Sequence, residues 1–491
     1  MLIAALAGAA CGAPHLAAAS DADLRAALAG DLGGVDRTAA SADPRVPASV
    51  QALYDAARDL EEGLRDAGPV GTACRPLRAA ALAYVRARVG QAEGVDRLSP
   101  GRTAAGRRSA EAARRRLAAA RPGCRTSARP VAPAVPAIAP SSDEAFFGAV
   151  VASAPAGATA AHLWVDGQAA GEPPIRAGRA RATVSAPPGP HDLEVRFTTD
   201  GRVVATARAA RVRLLDASGR AARPADRLDD RRSRRLAGLA RGLDGNAAIW
   251  TQDLVTGTAA GWNADARFPA ASTVKLGLLV AALARRGAGP SPLRYDLQAM
   301  ARWSSNLATN RLLERLGGSE GAGARLAQDA LRRMGAAAST FPGGYIVGTE
   351  LQPAIPGVGA PDPPPVVSTR VTTARDLARV LFAVHAAAAG NPTARRTTGL
   401  STRAARLALG WLLSSEQGGD NVSLVAGGLP AGTPVAQKNG WLRAARHGAA
   451  IAYEPTGPRI HVVMTYRASG IARARAAALG SAVASLDRRP G

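Results

Sequence analysis

The chain has 491 residues, of which 47% are hydrophobic and 4% aromatic, and its formal net charge is +24. A chain of this length exceeds what one hydrophobic core can hold and predicts about three domains. The positive charge would suit nucleic acid, but the arginines are spread along the whole chain and no nucleic-acid motif occurs. We therefore expect no nucleic-acid partner.

The first ten residues are apolar and small, and Cys11 follows them directly. This pattern resembles the end of an export signal or of a lipoprotein signal, so we assign residues 1–20 to a signal remnant. The implied location is extracellular or at the cell envelope, with a lipidated Cys11 as the membrane attachment. The alternative is a plain Ala-rich N-terminus, because a basic segment before the apolar run is missing. The rest of the chain contains no apolar run of about 20 residues, so the sequence predicts no membrane span.

The remaining cysteines, Cys74 and Cys124, fall in one helical region and can pair if the protein is exported. No group of cysteines and histidines has metal-ligand spacing. We expect neither a metal nor a cofactor, and the sequence leaves the oligomeric state undecided.

Residues 21–126 form a predicted helical domain, which begins with a polar, Ala-rich lead before residue 48. Apolar residues recur at helical spacing in residues 48–66, 74–90 and 104–121. Breaks that contain Pro and Gly separate these three segments. Together the segments predict a three-helix unit. The arginines of the third segment are interpreted as a solvated face.

A Pro/Ala-rich linker is predicted over residues 127–143. Residues 144–216 then alternate apolar and polar residues in short runs that turn signals separate. This pattern predicts a small β-sandwich that serves as a spacer or a binding module. A charged linker, residues 217–235, closes this part of the chain.

The last domain, residues 236–491, has strand patterns at both ends and helical patterns between them, among them one helical region over residues 293–318. This order predicts an antiparallel sheet packed against an α-helical block, an α+β fold.

This domain also holds Lys275 and Lys438, the two lysines among 62 basic residues. A lysine retained in so arginine-rich a chain indicates a site that needs a compact ammonium or one that can lose its proton. Lys275 ends an S-x-x-K motif that places Ser272 one helical turn away. The alternative interpretation of this motif alone is a serine-capped helix with an ordinary lysine.

Two further motifs follow in order, Ser304-Ser305-Asn306 and Lys438-Asn439-Gly440. Together with S-x-x-K they resemble the serine acyl-transferases of the class A β-lactamase and penicillin-binding protein superfamily. The resemblance covers roughly residues 236–488. It implies that Ser272 is the nucleophile, that Lys275 accepts its proton, and that Ser304 passes a proton to the leaving nitrogen.

The same resemblance implies the substrate-binding residues. Asn306 would hold the substrate amide, and Lys438 with Gly440 would face the substrate carboxylate. The backbone N–H groups of Ser272 and Trp441 would form the oxyanion hole. Arg446 would assist Lys438, unless it is only a solvated arginine at a strand end.

Two departures from the family pattern matter. Asn439 replaces the hydroxyl residue of the family's K-T-G motif, which weakens contact with a carboxylate. Residues 348–357 resemble the omega loop of the family. When they are aligned on the A-I-P-G of that loop, Gln352 stands at the position of the loop's asparagine. Gly348 stands at the position of the deacylating glutamate. Glu350 lies two residues away and either takes over this role or is a surface glutamate. The resemblance therefore implies slow deacylation.

Two functions remain open. The first is an exported serine hydrolase that acts on β-lactams or on D-Ala-D-Ala-type peptidoglycan ends. The second is a catalytically weak or inactive domain of this fold within an envelope-associated binding protein. Fold does not decide the substrate.

Overall fold

The structure is a computed structural model that describes residues 21–67, 70, 72–124, 136–215, 222–289, 291–347, 369–414 and 423–486. The chain divides into two compact units, residues 1–133 with 347–349 and residues 134–346 with 350–491. None of the helices within the described ranges combines the length and the apolar character needed to cross a bilayer.

The described part of the first unit contains four α-helices and a 3-10 turn at Thr72–Cys74. The helices are α1 (Asp21–Ser41), α2 (Pro47–Asp66), α3 (Arg75–Asp96) and α4 (Pro100–Ala120). Helices α2, α3 and α4 carry proline in their first turn, where the missing N–H breaks no helical hydrogen bond. The predicted pairing of Cys74 with Cys124 is confirmed, since the two form a disulfide.

Helix α1 corrects the prediction of a three-helix unit. It occupies a segment that was interpreted as a polar, Ala-rich lead. Its buried residues are Leu24, Leu28, Leu32 and Val35, which are spaced as on one helix face. The abundant alanines between them hid this periodicity, because alanine also counts as apolar.

Two sheets open the described part of the second unit. Their strands are β1 (Ile138–Ala139), β2 (Ala145–Phe146), β3 (Ala149–Ser153), β4 (Ala160–Val165), β5 (Gln168–Gly171), β6 (Ile175–Arg176), β7 (Arg179–Thr183), β8 (Gly189–Thr199) and β9 (Arg202–Leu214). The strand orders are β1-β3-β7-β6 and β2-β9-β8-β4-β5. One apolar core joins the two sheets, with Val150 and Ala180 from the first and Leu163 and Phe197 from the second. Strand β1 falls within the predicted linker 127–143.

The C-terminal domain is built on a six-stranded sheet of order β10-β12-β11-β17-β16-β15. These strands are β10 (Arg227–Leu228), β11 (Asn246–Asp253), β12 (Thr258–Trp262), β15 (Val435–Leu442), β16 (Ala445–Glu454) and β17 (Gly457–Tyr466). Two short strands, β13 (Phe268–Pro269) and β14 (Val371–Thr372), pair with each other outside this sheet.

Helices cover both faces of the six-stranded sheet. They are α5 (Asp230–Arg241), α6 (Lys275–Arg286), α7 (Arg294–Trp303), α8 (Asn306–Gly317), α9 (Glu320–Arg333), α10 (Ala374–Ala388), α11 (Pro392–Thr398), α12 (Thr402–Leu413) and α13 (Arg473–Ser485), with a 3-10 turn at Ala426–Gly428. Helix α5 begins at Asp230, inside the segment predicted as a charged linker, with the side chain of Asp229 as its N-cap.

Side chains alternate between two cores along the central strand β11. Ala247 and Ile249 pack in the cluster that contains residues of α5 and α13. Ala248 and Trp250 pack in the larger cluster that contains residues of α6, α10 and α12. The period of two is the one expected for a strand that is covered on both faces. The predicted α+β arrangement of this domain is confirmed.

Candidate active site

Ser272 lies in the turn that leads into α6. Both the backbone N–H and the hydroxyl of Thr273 donate to the carbonyl of Ala270, at 3.0 and 2.7 Å. Ala271 has a φ of +47°, a left-handed conformation that is costly for a residue with a side chain and that recurs at functional sites. Ser272 is partly exposed, so the tight turn leaves it within reach of a substrate.

Two contacts fix this turn to the rest of the domain. Strand β13, which ends two residues before Ala271, pairs with β14. The N–H of Ala270 donates to the carbonyl of Arg370 at 3.0 Å. Backbone hydrogen bonds therefore connect the residues before Ser272 to the segment that precedes α10.

Lys275 is the first residue of α6 and is only 1% exposed. Its ammonium donates to the carbonyl of Ser304 at 2.7 Å and to Oδ1 of Asn306 at 2.6 Å, with a longer contact of 3.5 Å to the carbonyl of Ser305. It also lies 4.2 Å from the centre of the Tyr345 ring. Lys275 thus joins the first predicted motif to the second.

Ser304 separates α7 from α8, where the sequence predicted one continuous helical region. Its φ is +64° and ψ is +27°, which ends α7. The side chain of Ser305 then caps α8 by accepting from the N–H of Ala308. The hydroxyl of Ser304 accepts a hydrogen bond from the ammonium of Lys438 at 2.8 Å, so Ser304 joins the second motif to the third.

Lys438 is buried on β15, at 1% exposure. Besides Ser304, its ammonium donates to the carbonyl of Asn439 at 2.9 Å. Burial lowers the pKa of Lys438 to about 7, because the charged form loses its hydration. An anion placed beside this lysine would favour its charged form again.

Gly440 is where β15 comes closest to the serine turn. A Cβ on this residue would lie 2.7 Å from the carbonyl oxygen of Ala270 and 2.8 Å from Cγ2 of Thr273. Only a residue without a side chain permits this approach. Because Gly440 precedes Trp441, the close approach brings the N–H of Trp441 to the same end of α6 as Ser272.

Trp441 and Arg446 are direct partners across β15 and β16. The Arg446 guanidinium donates to the carbonyls of Leu442 and Ala445 and lies 5.6 Å from the Trp441 ring. The guanidinium of Arg473 lies 5.4 Å from the same ring. The indole is therefore flanked by two cations beside the K-N-G motif.

Tyr345 was not predicted as a site residue. Its hydroxyl donates to the carbonyl of Ala271 at 3.0 Å, and its ring faces Lys275 and lies 3.8 Å from the guanidinium of Arg370. Burial raises the pKa of Tyr345, against an opposing effect of Arg370. The only signal in the sequence was a tyrosine in an aromatic-poor chain after Gly343 and Gly344.

His447 was also missed. It is fully buried, its Nδ1 accepts from the N–H of Thr465 at 3.2 Å, and its Nε2 therefore carries the proton and donates to the carbonyl of Pro269 at 2.7 Å. Burial lowers the pKa of His447 to about 4, so the ring is neutral at physiological pH. Its role is to tie β16 to the strand before the serine turn, a contact that spacing alone does not predict.

Gly348, Glu350 and Gln352, on which the expectation of slow deacylation rests, lie outside the described residues, as do residues 1–20 with Cys11. Within the described ranges, no group of three or more histidine, cysteine, aspartate or glutamate side chains is arranged to hold a metal ion.

Comparison with known proteins gives one family match and several similar folds. The model of a beta-lactamase enzyme family matches residues 231–295 and 291–486. No curated protein matches the chain.

Three solved structures illustrate the similar folds. A variant of the last common ancestor of Gram-negative bacteria class A beta-lactamase is 23% identical, with 52% of this chain and 96% of that chain covered and a TM-score of 0.41. A mutant of PBP-A in an acyl-enzyme complex with penicillin G is 20% identical, with 54% and 97% covered and a TM-score of 0.40. A class A beta-lactamase from Mycobacterium abscessus is 20% identical, with 52% and 97% covered and a TM-score of 0.41.

Proposed function

The chain belongs to the beta-lactamase enzyme family, and we propose that its C-terminal half is a serine hydrolase that is acylated on Ser272 by β-lactams or by D-Ala-D-Ala-type peptides. The observation that carries this proposal is the continuous chain of contacts from Lys275 through Ser304 to Lys438. It links all three motifs around one partly exposed serine.

Lys275 is the proposed base. A neutral amine keeps two N–H groups, which can donate to the carbonyl of Ser304 and to Oδ1 of Asn306. The lone pair is then left to take the proton of Ser272 as its oxygen attacks the substrate carbonyl. The oxygen–carbon bond forms, and the carbonyl oxygen becomes an oxyanion.

The backbone N–H groups of Ser272 and Trp441 are the proposed oxyanion hole. The close approach of Gly440 to the serine turn supports this assignment. When the tetrahedral intermediate collapses, the carbon–nitrogen bond breaks and the nitrogen needs a proton. Ser304 relays to it the proton that Lys275 took from Ser272, which regenerates the neutral amine, and the hydrogen bond from Lys438 to the Ser304 hydroxyl supports Ser304 in this role.

Lys438 also provides the charge for the substrate carboxylate. Burial lowers its pKa to about 7, and a bound carboxylate would restore the ammonium. We assign Asn306 to the substrate amide, because its side chain already lies at the junction with Lys275. Arg446 acts at longer range, since its guanidinium also donates to the carbonyls of Leu442 on β15 and Ala445 on β16.

Deacylation is proposed to be slow, because Gly348 stands where the family's loop carries the glutamate that activates water. Loss of a general base typically costs about 10²–10⁴ in rate. A chromogenic cephalosporin should therefore give a burst of one equivalent followed by a slow steady rate. Glu350→Gln tests whether this glutamate supports the slow step.

We further propose that the protein is exported and works at the cell envelope. The Cys74–Cys124 disulfide supports an oxidising compartment. In this proposal Cys11 carries the lipid, and the two sheets of residues 138–215 form a small β-sandwich that serves as a spacer or binding module.

Labelling with fluorescent penicillin tests the proposed enzyme. The wild type should be labelled at one equivalent, and Ser272→Ala should not be labelled, while its circular dichroism and melting temperature stay unchanged. Ser485→Ala removes the hydroxyl of an exposed serine at the last residue of α13, a helix that packs on the other face of the sheet from α6, and should label like the wild type. Absence of labelling in the wild type would favour the binding-module function, and full labelling of Ser272→Ala would refute the nucleophile.

A further inference from the structure

A second cavity lies in the C-terminal domain, and none of the proposed catalytic residues lines it. Its volume is about 550 Å³, within the range of pockets that bind small molecules. Residues of β11, α10 and α11 line it, together with the residues that follow α9 and the segment 222–225.

The interior surface of this cavity is mainly apolar. Trp250 of β11, Phe382 of α10 and Met334 after α9 contribute the large side chains, and alanines of α10 and α11 fill the space between them. Phe382 is half-buried, whereas Trp250 and Met334 are almost fully buried. Transfer of an aromatic or aliphatic group of a ligand from water into this cavity is favourable.

The charged residues of the cavity all have one sign. Arg333, Arg375 and Arg379 line it, and the described lining residues include no carboxylate. A cavity with apolar walls and one sign of charge favours ligands of the opposite charge.

Two of these arginines already have carboxylate partners. Arg375 stacks 4.3 Å from the ring of Trp250 and forms a two-pronged contact with Asp265 at 2.7 and 2.8 Å. Arg379 lies 3.3 Å from Asp376. Arg333 is exposed and forms no ion pair with any residue in the described part of the chain, so one positive charge of the cavity is left uncompensated.

We propose that this cavity is a binding site for a small amphiphilic anion, with one negative charge beside Arg333 and an aromatic or aliphatic body against Phe382 and Met334. The single uncompensated charge selects a monoanion. Asn391 and Thr393 also line the cavity; their side-chain oxygens accept from the N–H of Ala394 and from Arg396, and their own N–H and O–H groups can donate to an anion. The site is separate from Ser272, so its occupation does not depend on the proposed acylation.

The test uses 1-anilinonaphthalene-8-sulfonate, a fluorescent aromatic monoanion, and N-phenyl-1-naphthylamine, which has the same rings without the sulfonate. The full-length protein should bind the anionic probe at one equivalent and about fivefold more tightly than the neutral probe. An exposed pair of opposite charges at about 4 Å strengthens binding by about fivefold in water, and charge reversal removes this attraction and adds a repulsion of similar size. Arg333→Glu should therefore weaken binding of the anionic probe by at least about tenfold.

The matched control is Arg332→Glu, which makes the same charge change at an exposed neighbour that pairs with Asp329 and does not line the cavity. It should change the affinity by less than about threefold at physiological salt, where charges beyond about 8 Å are screened. Excess penicillin G should not displace the probe. Equal losses in the two variants, equal binding of the two probes, no binding, or displacement by penicillin would each overturn the proposal.

Discussion

Substitution of Gly440 by alanine tests whether the strand β15 must lie against the serine turn for acylation. The added Cβ would lie 2.7 Å from the carbonyl oxygen of Ala270, 2.8 Å from Cγ2 of Thr273 and 3.1 Å from the backbone nitrogen of Thr273. Favourable contacts between heavy atoms lie at about 3.5–4.0 Å. Because two of the three atoms that it meets belong to backbone, β15 and the turn must move apart by about 0.5–1 Å.

This displacement acts on the N–H of Trp441, the next residue on the strand. Removal of one oxyanion-hole donor typically costs about 10²–10³ in rate. Overpacking of this kind costs about 1–3 kcal/mol in the free energy of unfolding. Gly440→Ala should therefore stay folded, with a free energy of unfolding about 1–3 kcal/mol lower than that of the wild type. Its serine should be acylated about a hundredfold to a thousandfold more slowly.

The assay is the rate of covalent labelling by fluorescent penicillin, measured on wild type, Gly440→Ala and Gly448→Ala. Gly448 lies on β16, and the three atoms nearest to a Cβ there all belong to the side chain of Leu424, at 3.2–3.3 Å, which is not backbone of the serine turn, so its labelling rate should change by less than about threefold. If Gly440→Ala labels as fast as the Gly448 control with an unchanged melting temperature, the close packing of β15 on the serine turn has no role in acylation.

The remaining predictions concern the two lysines and the disulfide. Lys275→Arg should label about as slowly as Lys275→Ala, about 10²–10⁴ below wild type, if the lysine acts as a general base; a near wild-type rate for the arginine variant would contradict this role. Because the pKa of Lys438 is lowered to about 7, its charge is present below this pH and lost above it. The second-order rate of acylation by a carboxylate-bearing substrate should therefore fall above pH 7, and Lys438→Arg, which stays charged, should lack this fall. Reduction of the Cys74–Cys124 disulfide, whose residues are 50 apart in sequence, should destabilise the first unit by about 4 kcal/mol in urea unfolding and leave the labelling rate unchanged.

The sequence predicted the C-terminal fold well because its strands carry strong signals. Strands β16 and β17 include the apolar runs Ala449–Tyr453 and Val462–Met464, and the segments between β12 and β15 have clear helical periodicity. The helical segment 293–318 was predicted as continuous, because a single residue with positive φ leaves no trace in hydrophobic periodicity. The break at Ser304 depends on that residue and on the capping of α8 by Ser305.

The three motifs identified the residues that meet in the site, but not the residues that hold them there. Tyr345 and His447 contact backbone carbonyls of Ala271 and Pro269, next to the serine turn. Such contacts join residues that are 74 and 178 positions apart. No local pattern encodes them, because a backbone carbonyl accepts the same hydrogen bond whatever its residue type.

The structure also gives a physical reason for the retention of lysine in a chain that otherwise uses arginine. Both lysines are 1% exposed. Within the described part of the chain, the Lys275 ammonium has at least three oxygen acceptors and a ring face nearby, and the Lys438 ammonium has two oxygen acceptors. An arginine would bring five N–H donors and a permanent charge into the same space. A buried donor without an acceptor costs about 1–3 kcal/mol, so arginine is disfavoured at both positions even before proton transfer is considered. Proton transfer then distinguishes the two positions, because a neutral Lys275 keeps both short hydrogen bonds, whereas a neutral Lys438 loses its attraction for a carboxylate.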